Sequence, residues 1–328
     1  MQNRQENRSI SLSPAKKVTK MNAFERLKHR LCLPLIAAPM FLVSGPDLVL
    51  AACRAGIIGS FPAPNARTPE IFAQWLSTIC EGLGEDPAPW AVNLIMHTSY
   101  GRRESDLAMT VEAKPPLVIT ALGSPKDAVE AVHSYGGLVF ADVNNVEFAR
   151  KAVDAGADGL VLVSSGAGGH TGQISGFAFV DAVRAFFDGP LVLAGSISTG
   201  RAIRAAEVLG ADLAYMGTQF IATQESMASD DYKSMLVSAG PSDIVCSSAI
   251  TGVPANWLKP SLQSAGYDPD NLETGKKPNF DDPHQGTKAW KHVWSAGQGV
   301  GSIDQVQSVA ELVERLSDEY EAALKQRA

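Results

Sequence analysis

The chain has 328 residues, 45% of them hydrophobic and 19% charged. That is too apolar for a disordered chain and long enough for one large barrel-type domain with an excursion, or for two ordinary domains. A formal charge of −7 without long runs of one sign argues against a nucleic-acid surface, and no apolar run approaches the ~20 residues that a membrane helix needs.

The N-terminus lacks the charged, apolar and small-residue zones of a secretory signal, so a cytoplasmic protein is expected. The four cysteines, Cys32, Cys53, Cys80 and Cys246, show neither CxxC nor metal-ligand spacing. They are expected to be buried thiols in a reducing compartment, with no zinc or redox role.

Residues 1–21 are polar and basic with no apolar period, and read as a disordered leader; the fold is expected to begin near Asn22. A short apolar strand follows over Leu33–Met40, where Pro39 removes an N–H and fixes the exit of the chain. The next elements are a helix over Asp47–Ala55 stopped by Gly56, a strand over Ile57–Phe61, and a helix over Pro69–Gly82 with Thr68 as its cap.

Strands are then predicted at Trp90–Met96, Pro116–Leu122, Leu138–Val143, Leu160–Val163, Leu191–Ala194 and Leu213–Met216. Helices are predicted between and after them at Asp106–Ala113, Lys126–Tyr135, Val146–Ala155, Phe177–Phe187 and Gly200–Leu209. Eight strands with near-continuous apolar runs, each followed by a helical pattern, fit a closed parallel (β/α)8 barrel of the TIM type better than an open sheet.

The barrel is expected to occupy residues 22–225. Residues 226–290 break the rhythm and read as an inserted, mostly helical cap over the site. Residues 291–328 read as a return segment followed by a final amphipathic helix over Val306–Lys325.

The loops at the C-terminal ends of barrel strands build the site in this architecture. The richest is in the stretch Gly159–Gly176, GLVLVSSGAGGHTGQISG, where an apolar strand opens into a Gly/Ser/Thr loop containing His170. Glycine lets backbone approach a ligand closely and aim N–H groups at an anion, and imidazole is the side chain that titrates nearest neutrality. The bland alternative is a mobile linker with a surface histidine; the strong elements on both sides favour a ligand site.

Two late strand ends, Gly195-Ser196 and Gly217-Thr218, stand where such barrels hold a phosphate, against the alternative of ordinary turns. His97 reads either as a rim residue of the site or as a loop histidine. Trp257, with Tyr267, either lines a substrate pocket or closes a core. Glu225 reads as a helix-start residue rather than a catalytic acid. His133, His284 and His292 read as structural or solvated.

The segments AAPM at 37–40, VNL at 92–94, AGGHTGQ at 167–173, AGSIS at 194–198, LGADLAYMGTQFIAT at 209–223 and WSAGQGVG at 294–301 occur in an order that resembles the nitronate monooxygenase family, formerly called 2-nitropropane dioxygenases. Flavin enoyl-ACP reductases share much of this pattern. The resemblance implies an FMN-dependent barrel in which Gly168, Gly169, Gly195, Ser196, Gly217 and Thr218 bind the FMN phosphate. Pro39 and Met40 would lie against the flavin ring, with Asn93 and Gln173 at its polar edges, and Ser295, Gly297 and Gln298 would return to the cofactor from outside the barrel.

The resemblance also makes His170 the active-site base or anion stabiliser. It marks one departure: Asp142 stands where several relatives carry a lysine. The chemistry implied is oxidation of an alkyl nitronate by O2 to a carbonyl compound and nitrite. Two alternatives are an NAD(P)H-dependent flavin enoyl-thioester reductase and a non-catalytic FMN- or phosphate-binding barrel. The expected partners are a small-molecule substrate and O2, with a homodimer possible.

Overall fold

The computed structural model describes residues 21–84, 87–272 and 293–326. The expected leader over residues 1–20, part of the cap, and His284 and His292 lie outside the described residues. Among the described residues no helix is long and apolar enough to cross a membrane.

Eight parallel strands close into a barrel in the order β1 (Leu35–Ala37), β2 (Ile58–Pro62), β3 (Trp90–Ile95), β4 (Leu117–Ala121), β5 (Leu138–Val143) and β6 (Gly159–Val163), then, past the outlying two-residue strand β7 (Gly169–His170), β8 (Leu191–Ala194) and β9 (Leu213–Met216). Closure comes from β9 pairing with β1, where Ile36 faces Tyr215 and Ala37 faces Met216. The strands are apolar almost throughout because both of their faces are covered, by helices outside and by one another's side chains inside.

Period-two alternation sends Ile36, Ile58, Ile119, Phe140, Val161 and Leu213 into the barrel as one cluster. The short helix Ala23–Lys28 closes the N-terminal end of that cluster with Phe24 and Leu27, and the Phe24 ring lies 6.0 Å from that of Phe140. On the outer face Val92, Val118 and Val139 pack with Leu76, Ile79 and Val132 from the surrounding helices.

Helix starts carry the side chains that capping requires. Thr68, Asn145, Ser175 and Thr199 accept from the amides of Ile71, Phe148, Ala178 and Ala202. The C-terminal helix Val309–Lys325 begins three residues later than expected, because Ser308 and Glu311 form a capping box there. Glu225, beyond β9, accepts from the Val309 amide at 3.1 and 3.0 Å, so it does serve a helix start, that of the last helix in the chain.

Two expectations are corrected. The excursion after β9 is only partly helical among its described residues. Helices Asp230–Ser238 and Lys259–Ser264 flank an antiparallel pair, β10 (Ile244–Ser247) and β11 (Ala255–Leu258), and β11 pairs in turn with β7. Both strands are short, and β11 is also paired with residues distant in sequence, which a local pattern does not show. The cysteines are free, but Cys32, Cys80 and Cys246 are exposed and only Cys53 is buried; Cys32 lies in the bend before β1, Cys80 on the helix Pro69–Gly82 and Cys246 on β10.

Candidate active site

The strands' C-terminal ends open into a cavity of about 1950 Å³ beneath the excursion and the return segment. A pocket for one drug-sized ligand usually measures about 300–1,000 Å³, so this space holds a cofactor and a substrate together.

Each wall is built by a different device. On the β1 side, Pro39 and Met40 line the cavity in a loop pinned by Asn65, whose side chain donates to the carbonyls of Met40 at 2.9 Å and Ser44 at 2.7 Å and accepts from the Leu42 amide at 2.8 Å. The buried Asn65 fixes a turn in which Leu42 takes φ +61, a conformation a leucine seldom adopts unaided.

On the opposite side the glycine loop is clamped rather than mobile. Gly169 and His170 pair with Asn256 and Ala255, the Thr171 amide donates to Pro254, and Asn256 Nδ2 donates to the Ala167 carbonyl at 2.7 Å. The return segment closes in from above: the Gln298 amide donates to the Gly166 carbonyl at 3.0 Å and the Gly297 amide to Thr218 Oγ1 at 2.9 Å. Backbone meets backbone so closely that a Cβ on Gly168 would lie 2.8 Å from the Gly297 nitrogen.

After β8, Gly195 takes φ +116 and Ser196 φ +57, and a Cβ on Gly195 would come within 2.4 Å of Ser164 Oγ. Successive left-handed residues turn the backbone into a concave seat just ahead of the helix Gly200–Leu209, a geometry that favours an anion.

The floor is polar. Alternation from the apolar interior positions Ala91, Phe140 and Leu213 places Asn93, Asp142 and Tyr215 on the same inward-facing side, one layer higher. Asp142 Oδ2 accepts from Asn93 Nδ2 at 3.5 Å, the outer limit of a hydrogen bond, while Asp142 Oδ1 and Tyr215 Oη are buried without a partner. Burial pushes the Asp142 carboxyl up to about 7. The Tyr215 phenol is raised well above its ordinary value, first by burial and then by the Asp142 charge.

His170 lines the cavity and is exposed to it. Desolvation by the surrounding cavity walls lowers its proton affinity below that of an ordinary imidazole. The shift favours the uncharged ring, the form that accepts a proton.

Of the residues expected at the site, the structure brings Pro39, Met40, Asn93, His97, Asp142, Gly168, Gly169, His170, Gly195, Ser196, Gly217, Thr218, Ser295 and Gly297 to one cavity. His97 sits at its edge with Nδ1 2.7 Å from Ser99 Oγ. Gln173 is exposed and off the cavity wall, beyond the tight turn at Gly172, and Gln298 approaches the glycine loop from outside that wall. Trp257 is corrected from substrate residue to core. It is fully buried with Ile250, Leu262 and Val293, donates to the Ser247 carbonyl at 3.2 Å, and does not line the cavity.

Sequence reasoning missed Tyr215, Asn65 and Tyr232. Tyr215 lay inside an apolar run, although its position two residues after Leu213 marks it as inward-facing. Tyr232 stacks on Trp294 with ring centroids 5.0 Å apart and donates to the Ser295 carbonyl, which anchors the return segment; only the fold brings these residues together.

A seat of glycine backbone after the late strands, apolar faces from β1, and polar side chains without partners on the floor together fit a phosphorylated ring cofactor such as a flavin nucleotide. The comparisons with known proteins agree. Residues 24–319 match the family model for nitronate monooxygenase. A nitronate monooxygenase of Paraburkholderia phytofirmans is 27% identical over 89% of this chain and 93% of its own length. A protein of Mycobacterium tuberculosis named as a monooxygenase is 32% identical, over 62% of this chain and 59% of that protein, less than two thirds of its length.

Among solved structures, nitroalkane oxidase from Streptomyces ansochromogenes superposes with a TM-score of 0.78 at 26% identity, covering 91% of this chain and 98% of that one. FabK from Thermotoga maritima superposes with a TM-score of 0.76 at 25% identity, covering 94% and 98%. With its barrel, its cavity and a family match from Phe24 to Glu319, the chain belongs to the nitronate monooxygenase family of flavin-dependent oxidoreductases.

Proposed function

We propose that this protein is an FMN-dependent nitronate monooxygenase that uses O2 to convert alkyl nitronates to carbonyl compounds and nitrite. The observation that carries the reading is His170: an imidazole whose proton affinity is lowered by desolvation, lining a cavity rimmed by clamped glycine backbone. Of the two roles open to it, the lowered proton affinity favours the base over the cationic anion stabiliser: with a neutral nitroalkane, His170 would take the acidic proton beside the nitro group and so supply the nitronate that is oxidised.

The turns at Gly195-Ser196 and Gly217-Thr218, with Gly168, Gly169 and Gly297, would hold the FMN phosphate through backbone N–H groups. Met40, Pro39 and Asn93 would border the ring. Bound FMN supplies the electron acceptance. The excursion and the return segment shield the site from bulk water, with Tyr232 and Trp294 holding the return segment in place. In this reading the barrel over 22–225 carries the cofactor, residues 226–290 cover it and residues 291–328 close it, in a cytoplasmic enzyme that acts on a small molecule.

The test is direct. Purified protein is mixed with an alkyl nitronate in air, with no nicotinamide, while oxygen uptake and nitrite are recorded; both are expected. A yellow protein that produces neither, but bleaches anaerobically with NADPH, overturns the reading in favour of an enoyl-thioester reductase. The observation on that side is the likeness of the fold to FabK from Thermotoga maritima. Neither reaction, with flavin bound, would leave a non-catalytic carrier.

A further inference from the structure

The floor of the cavity holds two polar groups to which the proposed reaction gives no task. Asp142 on β5 and Tyr215 on β9 both line it, and Asp142 Oδ1 and Tyr215 Oη are buried with no hydrogen-bond partner. A buried polar atom left unpaired costs about 1–3 kcal/mol, and a fold that needed the two side chains only for packing would let them bond to each other. They lie near enough for the Asp142 charge to act on the phenol, yet they do not pair. Both are left to bond a third body in the cavity.

The charges around Asp142 decide which form it binds in. The titratable groups on the cavity wall are His97 after β3, Lys151 on the helix after β5, His170 beyond β6, Tyr215 on β9, and Tyr232 and Tyr267 from the excursion. Among the described residues no arginine lines the cavity, and Lys151 is an exposed residue 2.7 Å from Glu147. Desolvation lowers the proton affinity of His170. Among the described residues, then, neither arginine nor an unpaired lysine lines the cavity beside the Asp142 carboxyl, so covering it with a ligand removes water without bringing a compensating charge from them.

We propose that Asp142 and Tyr215 together seat the polar edge of the bound flavin ring, with Asp142 binding as the protonated carboxylic acid, so that flavin binding takes up a proton at this residue. The inference rests on reading the cavity as the flavin site. Asp142 donates its O–H to an acceptor on the ring, and Tyr215 supplies a second hydrogen bond beside it. The balance is simple: above the pKa of the free group, a carboxylate, a proton and the flavin give a neutral hydrogen-bonded carboxyl. The carboxyl titrates at about 7 before any ligand covers it, so the coupling falls in the neutral to alkaline range.

The experiment measures the dissociation constant of FMN, and of riboflavin as a probe without a phosphate, from the full-length protein between pH 6 and 9 by flavin fluorescence. For the native protein both constants are expected to be flat below about pH 7 and to weaken toward tenfold per pH unit above it, the slope of one linked proton. Asp142→Asn, which keeps a donor but cannot ionise, should bind both probes with no such slope. Tyr215→Phe should bind more weakly at every pH and keep the slope, and His170→Asn should keep it as well.

Tight binding with no slope in the native protein, or an undiminished slope in Asp142→Asn, overturns the inference while leaving the flavin site standing. Failure of both FMN and riboflavin to bind the native protein at any pH overturns both.

Discussion

The two ends of the barrel are made from the same strands and do opposite things. At the N-terminal end Ile36, Ile58, Ile119, Phe140 and Val161 interdigitate under a lid made by Phe24 and Leu27 as one apolar cluster. One layer higher in the barrel stand Asn93, Asp142 and Tyr215, of which Asp142 Oδ1 and Tyr215 Oη have no hydrogen-bond partner among the described residues. The difference separates two jobs: the lower layer stabilises the fold, and the upper layer gives up some stability for chemistry. Substitutions at the two ends should therefore divide cleanly between activity and stability.

The largest effect is expected at the upper end. With a neutral nitroalkane as substrate, His170→Asn should lower turnover by about 10²–10⁴-fold, the usual contribution of a positioned general base, while flavin content and thermal midpoint stay near those of the native protein. Nitrite release alongside a thermal melt checks both halves. Loss of flavin together with turnover would instead make His170 part of the cofactor seat.

The matching change at the lower end is Phe140→Ala. Phe140 is fully buried and touches the lid helix through Phe24, so its loss should cost about 3–5 kcal/mol in unfolding by denaturant. Turnover per folded, flavin-loaded molecule should stay within a factor of two or three. A collapse of activity at conditions where the protein remains folded would show that the lower layer positions the site as well as supporting it.

The comparison also explains how much could be read in advance. The strands were legible because a strand covered on both faces must be apolar along its whole length: Leu138–Val143, Leu191–Ala194 and Leu213–Met216 fall where the apolar runs place them. Helix starts were legible wherever a capping residue preceded an amphipathic run, as Thr68 does before Pro69–Gly82. The candidate cavity was legible because its glycines and His170 cluster at strand ends.

What escaped was non-local. The strand β11, besides its pairing with β10, pairs with Gly169–His170, far earlier in the chain. Trp257 was ambiguous because an aromatic residue reveals its size in sequence but not the side it faces. Tyr215 was hidden by neighbours as apolar as any core strand, and the unpaired state of its hydroxyl is a fact of three dimensions alone.

A smaller effect, opposite in sign to most substitutions, is expected at Asp142. In the folded protein without flavin its carboxyl titrates at about 7, against an ordinary 3.8. Between about pH 4 and 7 the native state therefore holds a proton that the unfolded chain has released. Stability contributed at this residue falls as the pH rises through that window and is flat above it. Asp142→Asn removes the penalty. At pH 8 the flavin-free variant should be more stable than the native protein by about 2–4 kcal/mol, and near pH 4 the two should converge. Paired denaturant curves at the two pH values measure this. Equal stabilities at pH 8 would mean that the carboxylate is well solvated in the empty cavity, and the upper layer would then carry no cost at this position.

The smallest effect tests whether a place at the chemical end is enough to make a residue functional. Glu225 follows β9 near the cavity's rim, yet its carboxylate accepts from the Val309 amide and caps the last helix. Glu225→Ala strands that amide at the positive end of a helix dipole, a loss of about 1 kcal/mol. In a chain of this size that lowers the melting temperature by about 2 °C. Turnover and flavin affinity should not change, because the helix Val309–Lys325 packs on the outside of the barrel, against Ile203 and Phe220. If nitrite release falls out of proportion to the small loss of stability, the last helix is transmitting strain through the turn at Gly200, whose amide donates to Glu319 at 2.7 Å, into the Gly195-Ser196 seat. The division between the two ends would then have to be drawn around the outer helices as well as along the strands.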